Sequence, residues 1–208
     1  MRWLEVSLSL LGLVALSPVL LAVAVAVKCS SPGPVLYRAR PVGKDGRLFD
    51  LFKFRSMVTD AAERGPRVTG SGDARVTGVG RVLRRTKLDE LPQLLNILAG
   101  DMALVGPRPE DPGYVTSYSA EQLQVLRVKP GLTSAATLLH RHEEQMLTGP
   151  DWDETYRREI LPAKLQIELD YLSRRTLSKD VLILAQTASA LFTRPARLGA
   201  HRGSRCRS

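Results

Sequence analysis

Two adjacent carboxylates, Asp89 and Glu90, lie in the stretch RRTKLDELPQLLNIL, which covers residues 84–98. They follow several cations and precede an apolar segment, in a chain that has 30 Lys and Arg against 21 Asp and Glu. The positive end of a helix and nearby arginines keep a carboxylate ionised, so that it can bind a metal or act as a nucleophile. Attack on an anionic phosphate also needs neutralising charge, typically from Mg²⁺ and guanidinium groups. The pair therefore indicates phosphoryl chemistry, with Asp89 and Glu90 as candidate catalytic residues and Mg²⁺ ligands.

Two other interpretations of this pair stay open. Thr86 and Asp89 match a capping box, and Asp89 alone could cap a helix that has Pro92 in its first turn. The carboxylates could instead form surface ion pairs, each worth only about 0–1 kcal/mol, with neighbouring cations. Those cations are Arg84, Arg85 and Lys87. Capping is compatible with catalysis, because both use the positive end of a helix.

A second candidate group is Arg108, in the stretch GDMALVGPRPE at residues 100–110. Gly106, Pro107 and Pro109 restrict the backbone around this arginine. A guanidinium held in place is suited to bidentate contact with a phosphate. The alternative is a rigid turn with a solvated arginine.

The stretch FKFRSM places Lys53 and Arg55 on one face of a predicted strand, because strand residues two apart point the same way. The two cations could face a lipid phosphate or water. We favour the phosphate, and Lys53 and Arg55 join the candidate phosphate-binding residues.

The N-terminus carries a predicted membrane anchor, since residues 6–27 are 22 residues without a charge. Ser17 and Pro18 interrupt it, and proline removes a backbone donor and kinks a helix. The arms on either side would reach roughly 18 and 14 Å, against a hydrocarbon core of about 30 Å. Each arm alone therefore covers about one leaflet.

Flanking charge favours a hairpin for this anchor. Arg2 precedes it, Lys28, Arg38, Arg40 and Lys44 follow it, and positive residues favour the cytoplasmic side. We expect residues 1–28 to form a re-entrant membrane helix hairpin that enters and leaves by the cytoplasmic face. A spanning helix that tolerates a proline is the alternative.

The remaining chain predicts an α+β, mostly helical fold: a small cytosolic catalytic domain over residues 29–193 with interfacial amphipathic helices. Residues 35–38 and 48–54 around the turn GKDG predict a β-hairpin, and the glycine-rich residues 65–80 predict a loop. Helices are predicted before Pro130, from Pro162, and over residues 179–192, which either lie in the interface or close the core.

Residues 194–208 hold five arginines and no acid, which predicts a basic disordered tail. A tail of this kind commonly meets anionic lipid or nucleic acid, or has no partner. We expect anionic membrane lipid and no nucleic acid. Cys29 and Cys206 are the two cysteines, which excludes a disulfide framework or a thiolate metal site.

Several motifs together resemble the bacterial sugar transferase family, the monotopic phosphoglycosyl transferases that begin the assembly of surface glycans. They are SPGPVLYRARPVG, FKFRSM, DARVTGVGRVLRRTKLDELPQLLNILAGDMALVGPRP and KPGLT. They occur in this order behind a membrane segment that carries Ser-Pro. The resemblance covers residues 17–133.

The resemblance implies transfer of a phosphosugar from a UDP-sugar to undecaprenyl phosphate, with release of UMP, at the cytoplasmic face of the inner membrane. This would be the first membrane step of exopolysaccharide, capsule, O-antigen or glycoprotein glycan assembly. It also implies that Asp89 attacks the β-phosphate to form an aspartyl phosphosugar and that Glu90 assists with Mg²⁺. Arg84 and Arg108 would contact phosphate or nucleotide, and Ser17 and Pro18 would form the re-entrant break.

The resemblance weakens after Lys129. The chain reads PGLTSAATLLHRHEEQM there, with Ser134 and Thr137 where the family often has glycine and glutamine. This leaves the sugar and the pathway open. Two rival functions also remain: a membrane-bound Mg²⁺-dependent phosphohydrolase, and a non-catalytic membrane-tethered binding protein.

Overall fold

The structure, a computed structural model, describes residues 2–141, 143–149 and 151–192. The predicted tail at residues 194–208 lies outside this range. The α-helices are α1 Arg2–Ser30, α2 Gly78–Thr86, α3 Gln93–Ala99, α4 Pro112–Val115, α5 Ala135–Leu139, α6 Glu143–Met146, α7 Trp152–Thr155, α8 Leu161–Ser173 and α9 Leu177–Phe192. The strands are β1 Leu36–Ala39, β2 Leu51–Phe54, β3 Ala103–Val105 and β4 Gly131–Thr133. The fold is α+β and mostly helical, as predicted.

The predicted anchor, α1, is one continuous helix of 29 residues that includes Pro18. It is long and apolar enough to cross a membrane. The Ser17 hydroxyl donates to the Val14 carbonyl over 2.7 Å, inside the helix. The helix does not divide into two helices at Ser17 and Pro18, and the re-entrant hairpin stays a prediction.

One side of α1 packs along the rest of the protein from end to end. Near its start, Arg2 Nη2 donates to the carbonyl of Leu98, at the end of α3, over 3.0 Å. Leu13 packs in a cluster with Leu51 and Leu94, and near the C-terminus Val27 is 1% exposed in a cluster with Phe54 and Leu83. Both ends of the anchor therefore contact the same folded body. Its opposite side exposes large apolar residues, including Trp3, Leu11, Val14 and Leu21.

The predicted hairpin is confirmed, with somewhat shorter strands. β1 and β2 pair antiparallel, with Leu36 opposite Phe54 and Ala39 opposite Leu51. The 3₁₀ turn Lys44–Gly46 connects them and holds Asp45 at φ 55°. Asn96 of α3 fastens this hairpin to the body: its Oδ1 accepts from the backbone N–H of Phe52 over 3.0 Å, and its Nδ2 donates to the carbonyl of Asp50 over 2.6 Å.

A second, parallel strand pair holds the loop that follows β3. Ala103 pairs with Gly131, and Val105 pairs with Thr133. Gly131 has to be glycine, because a Cβ there would lie 2.1 Å from the backbone nitrogen of Gly106. The backbones of Gly106 and Gly131 therefore lie in close contact at the start of the stretch that contains Arg108.

The C-terminal helices differ from the prediction in two places. The segment before Pro130 forms a 3₁₀ helix, Gln122–Arg127. The helix predicted from Pro162 continues directly from α7 and a π turn, Tyr156–Ile160, which precedes the proline in the first turn of α8. Proline has no N–H to complete a regular helical turn, so the local change of helix type is expected there.

The helix α9 closes part of the core through Ile183, which is 7% exposed beside Val105 and Tyr171. Its outer side exposes Leu177, Val181 and Leu182. Closing the core, one of the two predicted roles, is thus confirmed for one face. The interfacial placement stays a prediction.

Candidate functional site

Asp89 and Glu90 lie in the 3₁₀ turn Leu88–Glu90, between α2 and α3. The chain changes direction at Lys87, which adopts the left-handed conformation at φ 59°. Thr86 donates its hydroxyl backwards, to the carbonyls of Val82 and Leu83, and does not cap a following helix. The N-cap of α3 is Pro92, without a side-chain hydrogen bond. Both capping interpretations of Asp89 are therefore wrong, because the left-handed residue separates the two helices.

Asp89 is buried, at 5% exposure, and its Oδ1 has no hydrogen-bond partner among the described residues. The described ion pairs do not include Asp89, so the interpretation as an ion pair with Arg84, Arg85 or Lys87 is wrong as well. Burial raises the pKa of Asp89, and the charge of Glu90 raises it further against the opposing effect of Lys53. Among the described residues Asp89 has no ion-pair partner, although the charges of Lys53, Arg84 and Lys87 oppose the rise in its pKa.

Glu90, in contrast, is neutralised by two cations. Arg108 donates to both of its oxygens, with 3.1 Å between Nη1 and Oε2, and Lys53 Nζ lies 3.7 Å from Oε1. Burial alone would raise the pKa of Glu90, but the charges of Arg108 and Lys53 outweigh burial and hold this pKa well below its usual range. The predicted residues Asp89, Glu90, Lys53 and Arg108 are thus brought together.

Arg84 lies close enough to this cluster for its charge to lower the pKa of Asp89. Its guanidinium pairs with Glu144 of α6, with 3.0 Å between Nε and Oε1. The neighbouring Glu143 accepts from Lys164 over 2.7 Å. Sequence reasoning missed Glu143, Glu144 and Lys164 as contributors. The signal was the acidic pair in HRHEEQM, within the segment that departs from the family pattern.

The structure places Arg55 elsewhere. Its side chain is buried and donates to the carbonyl of Ser31 over 2.7 Å and to the Ser31 hydroxyl over 2.9 Å. Nη2 also reaches the carbonyl of Val27, at 3.5 Å. These contacts fasten the C-terminal end of α1, so Lys53 and Arg55 serve different neighbours although they are two residues apart. A phosphate contact of Arg55 stays an untested prediction.

The donor set is compatible with a magnesium ion held jointly with a substrate. No group of three or more His, Cys, Asp and Glu that could hold a metal occurs in the described part of the chain. Mg²⁺ usually needs only one or two carboxylates together with water and substrate phosphates. Asp89, which has no ion-pair partner among the described residues, and the adjacent Glu90 could supply two carboxylates of this kind.

Comparison with known proteins agrees with the geometry. Residues 1–194 match the family described as bacterial sugar transferase. A UDP-N-acetylgalactosamine-undecaprenyl-phosphate N-acetylgalactosaminephosphotransferase of Aeromonas hydrophila is 36% identical over 197 residues, which are 92% of this chain and 43% of that protein. A UDP-glucose:undecaprenyl-phosphate glucose-1-phosphate transferase of Xanthomonas campestris pv. campestris is 40% identical over 185 residues, 87% of this chain and 36% of that protein.

A protein of the same name from Caulobacter vibrioides is 38% identical over 197 residues, which are 92% of this chain and 69% of that protein. The chain thus spans less than half the length of the Aeromonas and Xanthomonas relatives, and more than two thirds of the Caulobacter relative. The similarity extends beyond residue 133, where the motifs that were recognised in the sequence end.

Proposed function

The chain belongs to the bacterial sugar transferase family, and we propose that it transfers a phosphosugar from a UDP-sugar to undecaprenyl phosphate with release of UMP. The relatives named above carry names of this reaction type, for glucose and N-acetylgalactosamine. The observation that supports the proposal most directly is the unequal treatment of the acidic pair. Glu90 has two cationic partners, whereas Asp89 has none among the described residues.

The two acids therefore have different roles. Glu90 holds Arg108 and Lys53 in place, so that these cations stand close to the carboxylate of Asp89 without being bound to it. Asp89 then attacks the β-phosphorus of the UDP-sugar. A bond forms between its carboxylate oxygen and phosphorus, and the bond from phosphorus to UMP breaks. An oxygen of undecaprenyl phosphate attacks the same phosphorus and releases Asp89, which completes the transfer.

Charge controls both steps. Burial raises the pKa of Asp89 while Lys53, Arg84 and Lys87 lower it, so cations in the site favour the ionised nucleophile. Mg²⁺, held by Asp89 and Glu90 together with the diphosphate, would supply further positive charge to the phosphates. The covalent intermediate lets a soluble donor and a membrane-bound acceptor react in separate encounters.

The packing of α1 supports a monotopic anchor. A straight helix of 29 residues is about 43 Å long, more than enough to cross a hydrocarbon core of about 30 Å. Arg2 near one end and Val27 near the other nevertheless contact one folded body. If α1 crossed the bilayer, that body would have to lie along the lipid core as well. A re-entrant anchor at the cytoplasmic face of the inner membrane avoids this and keeps Asp89 near the lipid phosphate.

The test is a screen of UDP-sugars with the purified full-length protein, Mg²⁺ and undecaprenyl phosphate. A transferase produces a lipid-linked sugar diphosphate and releases UMP over repeated turnovers only when the lipid is present, since one equivalent of UMP can leave in the first, covalent step. A phosphohydrolase releases sugar phosphate without lipid-linked product, and a binding protein releases neither. Either of the last two results, over a panel that includes UDP-glucose and UDP-N-acetylgalactosamine, would refute the proposal.

A further inference from the structure

Gln93 carries a buried amide that the described contacts leave unexplained. Its side chain is 1% exposed, and Nε2 has no hydrogen-bond partner among the described residues. Proteins pair nearly all buried polar groups, so an unpaired donor calls for a specific explanation. Asn96, the other buried amide of α3, satisfies its oxygen and nitrogen on Phe52 and Asp50. The amide nitrogen of Gln93 therefore does not hold another segment in place, as that of Asn96 does.

Asp89 carries a buried acceptor that lacks a donor. Its Oδ1 is buried and has no hydrogen-bond partner among the described residues, whereas Oδ2 is not among the buried unpaired atoms. Oδ2 is thus the oxygen that keeps contact with solvent. A buried amide nitrogen without an acceptor and a buried carboxylate oxygen without a donor occur on one short segment.

Asp89 and Gln93 lie about one helical turn apart along the backbone. Asp89 lies in the 3₁₀ turn, Leu91 and Pro92 have helical φ and ψ, and Gln93 begins α3. Residues four apart in a helical stretch are neighbours on its surface, with about 5–6 Å between their Cβ atoms. Gln93 Nε2 and Asp89 Oδ1 both lack a hydrogen-bond partner among the described residues, so the contact requires a different side-chain rotamer, within reach of a glutamine amide one turn away.

Three cations near the pair are already engaged with carboxylates other than Asp89. Lys53 and Arg108 pair with Glu90, and Arg84 pairs with Glu144. Among the residues described around the pair, Gln93 is the uncommitted neutral donor one helical turn from the carboxylate. A neutral donor can orient a carboxylate without cancelling its charge.

We propose that Gln93 is a positioning residue for Asp89: its Nε2 donates to Oδ1 and so presents Oδ2 to the phosphorus. This inference rests on the proposed function, in which Asp89 is the nucleophile. Asp89 is also a proposed Mg²⁺ ligand, and residues that orient a metal ligand through a hydrogen bond typically contribute about 10–100-fold to activity. The contribution belongs to the chemical step, because Gln93 is buried and does not reach a donor sugar in solvent.

Gln93→Met tests the inference, because methionine has a similar length and no N–H. In a single-turnover experiment with UDP-sugar and Mg²⁺, we expect the rate of phosphosugar adduct formation on the full-length protein to fall about 10–100-fold. The KM for the UDP-sugar should change much less. Gln93→Glu, which places an acceptor where the donor was, should be slower still. Gln166→Met, the same change at an exposed glutamine of α8, is the matched control and should react at the wild-type rate.

Adduct formation by Gln93→Met at the wild-type rate would overturn the inference. So would a change confined to KM. If the methionine variant is largely unfolded at the assay temperature, Gln93→Asn decides the question: it keeps the amide but shortens its reach, and a folded asparagine variant with undiminished rate would equally refute the positioning role. A wild-type protein that forms no adduct while it makes lipid-linked product would instead refute the nucleophile assignment itself.

Discussion

Arg84 of α2 donates to Glu144 of α6 over 3.0 Å, across 60 residues of sequence. Arg84 is one of the two arginines that the family resemblance predicts to contact phosphate or nucleotide. A carboxylate from the protein therefore holds a guanidinium that a phosphate would use. Glu144 belongs to the segment in which this chain departs from the family pattern. That segment therefore contacts a residue of the candidate site.

Glu144→Gln should strengthen donor binding, because the UDP-sugar would no longer compete with a carboxylate for Arg84. The pair is partly exposed, and such pairs are worth about 0–1 kcal/mol, so the expected decrease in KM is up to about fivefold with little change in kcat. Steady-state release of UMP measures both constants. Glu154→Gln, which removes an exposed pair with Arg158, is the control. A higher KM in Glu144→Gln would show that Glu144 helps to bind the donor.

Asp89→Asn should reduce turnover by at least about a thousandfold, because the amide cannot form the covalent intermediate. Intact-mass analysis during the reaction should show the phosphosugar adduct in the wild type and none in the variant. Asp101→Asn makes the same change at an exposed position and should leave both unaffected. Full activity of Asp89→Asn would contradict the assigned nucleophile.

Arg55→Lys separates the anchoring contact seen in the structure from the predicted phosphate contact. Lysine cannot reproduce the contacts of the guanidinium with Ser31 and Val27, so we expect a loss of about 1–3 kcal/mol in the free energy of unfolding. The KM for the donor and the lipid should stay the same. Thermal unfolding in detergent measures the first effect, with the exposed Arg47→Lys as control. Weaker lipid binding at unchanged stability would favour the phosphate contact.

Glu168 should make the stability of the protein depend on pH. This residue is buried in α8, and burial raises its pKa to about 7 from an ordinary 4.5, against the opposing effects of Ser134, Lys164 and the backbone of Ala136 and Arg108. Between pH 4.5 and 7 the folded protein keeps a proton that the unfolded chain releases. Stability is therefore present below that range and is lost as the pH rises through it.

Glu168→Gln removes this dependence, since glutamine does not titrate. The loss in the wild type, from about 2.5 pKa units, is up to about 3 kcal/mol. Unfolding followed at pH 5 and pH 8 should show the variant gaining on the wild type at the higher pH. The exposed Glu159→Gln should show no such gain. Parallel pH profiles for Glu168→Gln and wild type would contradict the prediction.

Cysteine labelling tests the topology of α1. Single cysteines at Arg2 and Lys28, in a protein whose Cys29 and Cys206 are replaced by serine, should both react only when the reagent reaches the cytoplasm. The expectation follows from the contacts of both helix ends with one body. Labelling of either position from outside in intact cells would establish a spanning helix.

Much of the local structure could be predicted, because it depends on neighbours in the chain. The uncharged run of residues 6–27 predicted a helix long enough for a membrane anchor, and the turn GKDG between two apolar runs predicted the hairpin of β1 and β2. The quoted motifs identified Asp89, Glu90, Lys53 and Arg108, which the fold brings into one cluster. Capping by Asp89 was a local prediction that was wrong, because Lys87 adopts a left-handed conformation. A lysine does not predict that conformation.

The partners of the charged groups were decided by the tertiary structure. The sequence by itself determined that the acidic pair, the cations and an apolar anchor are present. Only the packing of distant segments decided that Arg108 and Lys53 neutralise Glu90, that Arg84 pairs with Glu144, and that Arg55 fastens α1. Residue types and spacing specify which groups can attract one another, but several cations suited the same carboxylate. The choice among them depends on distance and burial, which exist only once the chain has folded.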